Sequence, residues 1–296
     1  LVYLGFVIIN LEMLEIIVDG LFGTHRIFSG IPFYSVLIAS FEFLAFSVLT
    51  SCVIFLVRRH VIAIARFKSP EMGGWPSLDA NIILIAEILL MSAFLIMNAA
   101  DSVAMSKDFH HYADVSIDPL AFPISGLIAS SLEGLSESTI VLIERSCWWF
   151  HIVGVLCFLV YVPYSKHFHI FLAFPNTYYS NLDKKARLDN MASVKKEVDL
   201  MMDPNADPFV EPAPDASAEP PRFGVKDATD LSWKQLMESY SCTECGRCTS
   251  ECPANQTGKL LSPRKIMMDT RQRLKEVGKN IDKYGKDYTD NKSLLN

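Results

Sequence analysis

The chain has 296 residues, half of them hydrophobic, and a formal net charge of −6. It carries no basic stripe, which argues against nucleic-acid binding. The average conceals two unlike parts, because residues 1–180 are mostly apolar while residues 181–296 are polar and charged; the asymmetry predicts a membrane domain joined to a soluble one.

A helix needs about 20 apolar residues to cross a bilayer core. Four stretches are expected to do so. The first is Leu1 to Val18, ended by Asp19 and Gly20. The second is Ile31 to Val57, with Pro32 in its first turn and Arg58 and Arg59 after it. The third is Asn81 to Ala100. The fourth begins near Cys147 and continues through Tyr161 to Pro163. The chain opens inside an apolar run, without Met and without a signal-peptide pattern, so residues are expected upstream, including one earlier span.

Arg58, Arg59, Arg66 and Lys68 follow the second span and Lys166 follows the fourth, which places both ends in the cytoplasm. The loop 101–118, with Asp101, Asp108, Asp114 and Asp118, is then external. Residues 119–144 are interrupted by Ser, Gly, Pro and Glu. A further crossing there would carry the rest of the chain outside, so the segment is expected to be an external, re-entrant or surface-lying helix. Residues 66–80 read as a cytoplasmic turn-rich loop.

Beyond the spans, Leu188, Met191, Val194, Val198, Met201 and Met202 lie among charged residues in 183–202, a spacing that suits an amphipathic surface helix. Residues 203–222 form a linker rich in Pro, Ala and acids, extended and semi-rigid. The expected organisation is a transmembrane domain over 1–180, an amphipathic helix and linker over 181–227, and a soluble domain over 228–296.

The strongest chemical signal is Cys242, Cys245, Cys248 and Cys252 followed by Pro253. This C-x2-C-x2-C-x3-C-P run is the bacterial ferredoxin spacing for a [4Fe–4S] cluster. Cys242, Cys245 and Cys248 can reach three corners of one cube, while the cysteine before Pro253 is directed to a neighbouring cluster. The spacing is too compressed for a zinc tetrahedron. A thiolate-bound cluster calls for a reducing compartment, hence the cytoplasm. Asp230 or Ser232 can cap a helix from Trp233 to Ser239. Ser262 and Pro263 start a second helix that is expected to end at Gly278. Arg264, Lys265 and Arg271 either offset cluster charge and pair with a partner's acids, or are solvated surface.

His151, His167 and His169 bracket the fourth span. In one continuous helix His151 and His169 share a face about 27 Å apart, and His167 lies nearly opposite. His151 and His169 can then each ligate one of two stacked haems through neutral imidazole. A second axial ligand must come from another helix. His25 is the candidate at the outer level, with His60 a remote one at the inner level, where the ligand is otherwise expected upstream of Leu1. His110 and His111 read as ordinary loop residues. Glu12, Glu15, Glu42 and Glu87 lie inside apolar spans. They serve either a quinone site or proton path, or are satisfied by local hydrogen bonds. Cys52, Cys147 and Cys157 have no ligand spacing and read as packing residues.

Trp148, Trp149, Phe150 and His151, then Pro163, Lys166, His167 and His169, then Phe174 and Pro175 form a pattern. It resembles membrane iron–sulfur proteins related to heterodisulfide reductase, whose membrane domain is similar to the gamma subunit of respiratory nitrate reductase. The cysteine run with Ser262, Pro263, Arg264, Lys265 and Ile266 is similar to their helical ferredoxin domain. The resemblance implies an all-α protein: five spans, of which this chain holds the second to fifth, followed by a cytoplasmic α-helical ferredoxin domain. It also implies two b haems with His151 and His169 as ligands, and two [4Fe–4S] clusters. Two departures stand out. Leu1 to Val18 lacks the pair of histidines ten apart found in the nitrate-reductase pattern, and the second cysteine run is missing, so truncation at both ends is expected.

The expected function is a membrane electron-transfer subunit of a quinone-linked oxidoreductase in the inner (cytoplasmic) membrane. It would pass electrons between a soluble flavoprotein or CCG-domain-like iron–sulfur subunit, [4Fe–4S] clusters, haem b and quinone. A haem-free membrane anchor for a soluble redox partner is the alternative, and an iron–sulfur redox sensor a third.

Overall fold

The computed structural model describes residues 2–109, 112, 117–183, 192–205, 224–286, 288–290 and 292–294. Its described elements are helical, in accord with an all-α fold, and they divide into two compact units. The first comprises Leu1–Phe168 and Thr243–Leu261, the second His169–Cys242 and Ser262–Asn296. His110, His111 and Asp114, the first half of the amphipathic segment with Leu188 and Met191, and most of the linker lie outside the described residues.

The first unit contains α1 (Val2–Phe22), α2 (Tyr34–His60), α3 (Trp75–Ser106), α4 (Ser125–Leu132) and α5 (Glu137–Tyr161). Among the described residues three segments are long and apolar enough to cross a membrane: Tyr34–His60, Trp75–Ser106 and Glu137–Tyr164. α1 is also a long helix of largely apolar sequence, with Glu12, Glu15 and Asp19 along it. The last span starts ten residues before Cys147, because Ser136 caps its N-terminus by accepting the Thr139 N–H. The segment 119–144 is therefore not one element. It contains a 3-10 turn at Pro119–Ala121, the short α4, and the first turns of α5.

Two apolar clusters hold the first unit together. In one, Tyr34, Ile38, Phe41 and Ala45 of α2 meet Phe94, Leu95 and Met97 of α3 with Ala121 and Phe122. In the other, Ala99, Ala100, Val103 and Ala104 of α3 meet Tyr112, Ala129 of α4 and Ile140 of α5. The alanines let backbones approach closely, as small residues do between membrane helices. Large apolar side chains such as Phe43, Phe55, Leu142, Phe150 and Leu156 point outward instead, as a lipid-facing surface requires. Gly154 of α5 lies against α3, where a methyl group would sit 2.7 Å from Leu90 Cδ2. Gly20 of α1 similarly faces the Trp148 ring, at 2.8 Å for an added methyl.

α5 does not continue to His169. The chain passes through 3-10 turns at Val162–Tyr164, which holds Pro163, and at Lys166–Phe168, and His169 opens a new helix. Proline deprives the ladder of a donor and its ring crowds the preceding turn. The shared-face relation expected of His151 and His169 therefore has no continuous helix behind it.

The second unit contains α6 (His169–Tyr178), α7 (Ala192–Met202), α8 (Trp233–Ser241) and α11 (Pro263–Tyr284); two short helices, α9 (Arg247–Ser250) and α10 (Pro253–Gln256), belong to the first unit. Ser232 and Gln235 form a capping box on α8. α11 is capped by Ser262 and runs through Gly278 to Tyr284, one and a half turns past its expected end. A single helical glycine costs only about 1 kcal/mol, and Gly285, at φ 97°, supplies the real stop. Tyr179 stacks edge-on against Trp233 at 4.9 Å, which joins α6 to α8. Arg273 of α11 is buried and grips Asp227 Oδ2 at 2.8 Å and Asp290 Oδ1 at 2.5 Å.

Gly154→Val should lower the stability of the intact protein in detergent by about 1–3 kcal/mol through overpacking. Gly126→Ala in α4, with open space around it, should change it by less than about 1 kcal/mol; thermal unfolding distinguishes the two. The Arg273 guanidinium holds the Asp227 and Asp290 carboxyls below their ordinary value through hydrogen bonds. Their contribution is complete above the unfolded aspartate value and is lost as pH falls below it through the lowered folded values. Hydrogen exchange of α11 amides should accelerate over that window, and an Arg273→Leu variant should lack the transition.

Candidate functional site

The cysteine loop begins where α8 ends. Cys242, the C-cap of α8, is extended, and within the second unit its carbonyl accepts a 3.4 Å hydrogen bond from Arg271 Nη1. From Thr243 onward the loop belongs to the first unit. Glu244 and Gly246 both adopt left-handed backbone, at φ 59° and 74°. Cys248 rides on α9, and Cys252 caps α10, with Pro253 at its first position. Glycine takes the left-handed conformation freely. Glutamate does so at a cost of about 1–2 kcal/mol, so its side chain must be held. Glu244 is 3% exposed and forms a buried ion pair with Lys166 Nζ. Lys166 Nζ also donates to the Pro76 carbonyl at 2.7 Å. Asp79, in the first turns of α3, accepts from Tyr161 Oη at 2.5 Å, Ser165 Oγ at 2.6 Å and the Lys166 N–H at 3.0 Å. Arg59 of α2 donates to Ser77 Oγ at 2.9 Å beside this group. The loop is thereby tied to the same end of the first unit as Arg58 and Arg59.

None of Cys242, Cys245, Cys248 and Cys252 is in a disulfide; Cys245 and Cys248 are exposed and the other two half-buried. Thiolates in this number and spacing are the donor set of an iron–sulfur cluster, and in that sense the residues fit. Among the described residues no three His, Cys, Asp or Glu side chains converge into a ready metal site, so the fit is one of donor type and spacing.

The histidines fall into different environments. His151 is buried in the middle of α5, with Nδ1 3.1 Å from the Leu90 carbonyl of α3 and its ring 6.0 Å from Phe94. A backbone carbonyl on one ring nitrogen is the usual support for a ligating histidine, and the contact engages Nδ1 rather than Nε2. His25 is elsewhere: its Nε2 lies 2.8 Å from Asp101 Oδ1 and its ring packs edge-on against Tyr112 at 4.9 Å. His25 lines a cavity whose lining does not include His151. His167 packs against Phe158 at 5.2 Å and its N–H donates to Ser165 Oγ. His169 is the first residue of α6, in the second unit. His60 contacts Asn81 at 3.1 Å.

A cavity of about 260 Å³ opens at the other end of α3, lined by Glu12, Glu15, His25, Arg26, Asp101 and Glu144, among others. Arg26 donates to Asp101 Oδ2 at 2.7 Å and to Asn98 Oδ1 at 3.0 Å. Glu15 accepts from Tyr34 Oη at 2.7 Å, and Glu144 from Tyr112 Oη at 2.8 Å. Deeper, Glu42 of α2 is fully buried. It accepts the Ile124 N–H at 2.9 Å, the Ser125 N–H at 3.1 Å, the Ser125 hydroxyl, and Asn98 Nδ2 at 3.2 Å. For Glu15 and Glu42, local hydrogen bonding is thus what the structure provides. Three residues that sequence reasoning passed over matter here: Glu244, Asp79 and Arg26. Glu244 lies between two cysteines of the motif, and no periodicity marks a partner 78 positions away.

No family model matches the chain, and no solved structure matches it. It is 27% identical over 276 residues to a protein named probable iron–sulfur-binding oxidoreductase FadF of Bacillus subtilis, covering 93% of this chain and 34% of that one. It is 28% identical over 201 residues to the EtfAB:quinone oxidoreductase of Syntrophomonas wolfei, covering 67% of this chain and 24% of that one. Over 47 residues, 16% of this chain and 7% of the other, it is 41% identical to a probable membrane-anchored ferredoxin of Chromohalobacter salexigens. The chain thus spans about a third and about a quarter of the length of the first two.

Glu42→Ala should destabilise the membrane unit by about 3 kcal/mol or more, because it leaves several buried donors unpartnered, each costing about 1–3 kcal/mol. Glu42→Gln, which keeps one acceptor oxygen, should cost less; denaturation in mixed micelles measures the difference.

Proposed function

We propose that this chain is the membrane electron-transfer part of a quinone-linked iron–sulfur oxidoreductase. The observation that carries the reading is a disulfide-free C-x2-C-x2-C-x3-C-P loop tied by a buried ion pair to the basic end of an apolar helical unit. The names of the relatives, an iron–sulfur-binding oxidoreductase, a quinone oxidoreductase and a membrane-anchored ferredoxin, support it.

In this reading α1, α2, α3 and α5 are four spans of the inner membrane, with Arg58, Arg59, Lys166 and the cysteine loop on the cytoplasmic side, as the positive-inside rule prescribes. Cys242, Cys245 and Cys248 hold one [4Fe–4S] cluster, and Cys252 is a ligand to a neighbouring one. His151 presents Nε2 to a haem b iron, with its Nδ1 oriented by the Leu90 carbonyl. His169, His25 and His167 are the remaining candidate ligands. Iron–sulfur clusters and haem supply reversible one-electron transfer when bound. The protein residues fix where those groups stand, exclude water from the centre of the bundle, and dock a soluble flavoprotein or CCG-domain-like iron–sulfur subunit as electron donor or acceptor. Substrate chemistry other than that of quinone belongs to that partner.

A haem-free anchor is the second reading, favoured by two observations. His25 is engaged by Asp101, and the helix that would carry both His151 and His169 breaks after Tyr161. Iron, acid-labile sulfide and haem content of the full-length protein, purified without oxygen, separates the readings. Electron transfer through haem predicts a b-type absorption spectrum that His151→Ala abolishes while iron–sulfur content is retained. Full iron–sulfur content with no haem in the unaltered protein would leave only the anchor.

A further inference from the structure

Glu244 stands between the cysteines of the motif, on a left-handed backbone, with its carboxylate sealed against Lys166. Both side chains are buried, at 2% and 8% exposure, although each lies in a polar segment where water was available. Taking a charged pair out of water is justified only by good geometry and additional hydrogen bonds, and here Lys166 has both. Its ammonium is shared with the Pro76 carbonyl, and its own N–H is fixed by Asp79, which also binds Ser165 and Tyr161. Asp79 thus locks the Lys166 backbone to α3, and Lys166 locks the loop. The segment Thr243–Leu261 belongs to the membrane unit while the chain on either side of it does not.

We propose that Lys166 and Glu244 are positioning residues: their ion pair clamps the cysteine loop to the end of α3 and α5 and sets the distance and charge environment for electron passage between the loop's cluster and the bundle. The proposal rests on the function proposed above. Electron transfer falls steeply with separation, so a loop free to lift would transfer slowly even with its ligands intact. The buried pair is neutral as a whole, so removing the Lys166 ammonium would leave the Glu244 carboxylate uncompensated between the cysteines, a surrounding that disfavours the reduced cluster and lowers its potential.

The test uses the full-length protein in lipid nanodiscs, with Lys166→Gln, Lys166→Arg and the exchanged pair Lys166→Glu with Glu244→Lys. Three quantities are read: iron and sulfide content, amide hydrogen exchange over 243–252, and the cluster's reduction potential by electron paramagnetic resonance titration. Lys166→Gln should keep its iron and sulfide, exchange in the loop faster by on the order of tenfold, and show a lower potential. Lys166→Arg should restore both readings, and the exchanged pair should restore loop protection. Lys166→Gln with exchange and potential unchanged overturns the proposal. So does loss of iron in Lys166→Gln and Lys166→Arg alike, since that marks a role in holding the cluster rather than placing it. If the unaltered protein holds no cluster, the electron-transfer reading fails, and the exchange measurement alone then decides whether the clamp exists.

Discussion

Glu42 is a carboxylate with no exposure in the middle of α2, in a unit whose outer surface is apolar. Hydrocarbon offers no water to satisfy such a group, so it must find all its partners inside the protein. It finds them in the first backbone amides and the serine of α4, and in Asn98 of α3. Much follows from this. The N-terminus of a short helix points into the bundle, with its otherwise orphan donors met by a negative charge that the helix dipole favours. α2, α3 and α4 are held in one register. Asn98 passes the connection to Arg26, Arg26 to Asp101, and Asp101 to His25, so the polar wall of the cavity is built outward from one buried carboxyl group.

The membrane unit therefore has two polar ends of different character. At one, Glu15, Asp101, Glu144 and Arg26 line an open cavity, with Tyr34 donating to Glu15, Tyr112 to Glu144 and Arg26 to Asp101. At the other, Asp79 organises the break after α5, and Lys166 receives the cysteine loop. Between them α3 and α5 pack closely through Gly154 and Leu90, and the His151 ring is held against that same Leu90. One close helix contact thus serves both packing and the orientation of the buried His151 ring.

How far these features could be read in advance depended on whether the signal was local. Runs of apolar residues and the caps Ser232 and Ser262 announced helices correctly, because bilayer thickness and helix-end chemistry act within a few residues. The cysteine spacing was equally plain. The start of α5 was missed because Glu137 and Glu144 read as interruptions, whereas Ser136 caps the helix and Glu144 is satisfied by Tyr112. The helical relation of His151 to His169 failed at Pro163. Gly278 was taken for a stop although the positive-φ stop is Gly285. Glu244, Asp79 and Arg26 carried no sequence signal, since their meaning lies in partners tens of residues distant.

The chain leaves the first unit after Phe168, returns to it at Thr243 and leaves it again after Leu261. During synthesis the spans are complete long before Glu244 exists, and Lys166 must wait until the 78-position loop can close. Docking of the cysteine segment is thus a late, post-insertion event. The order of folding is written into the path of the chain: the apolar helices first, the cysteine loop second.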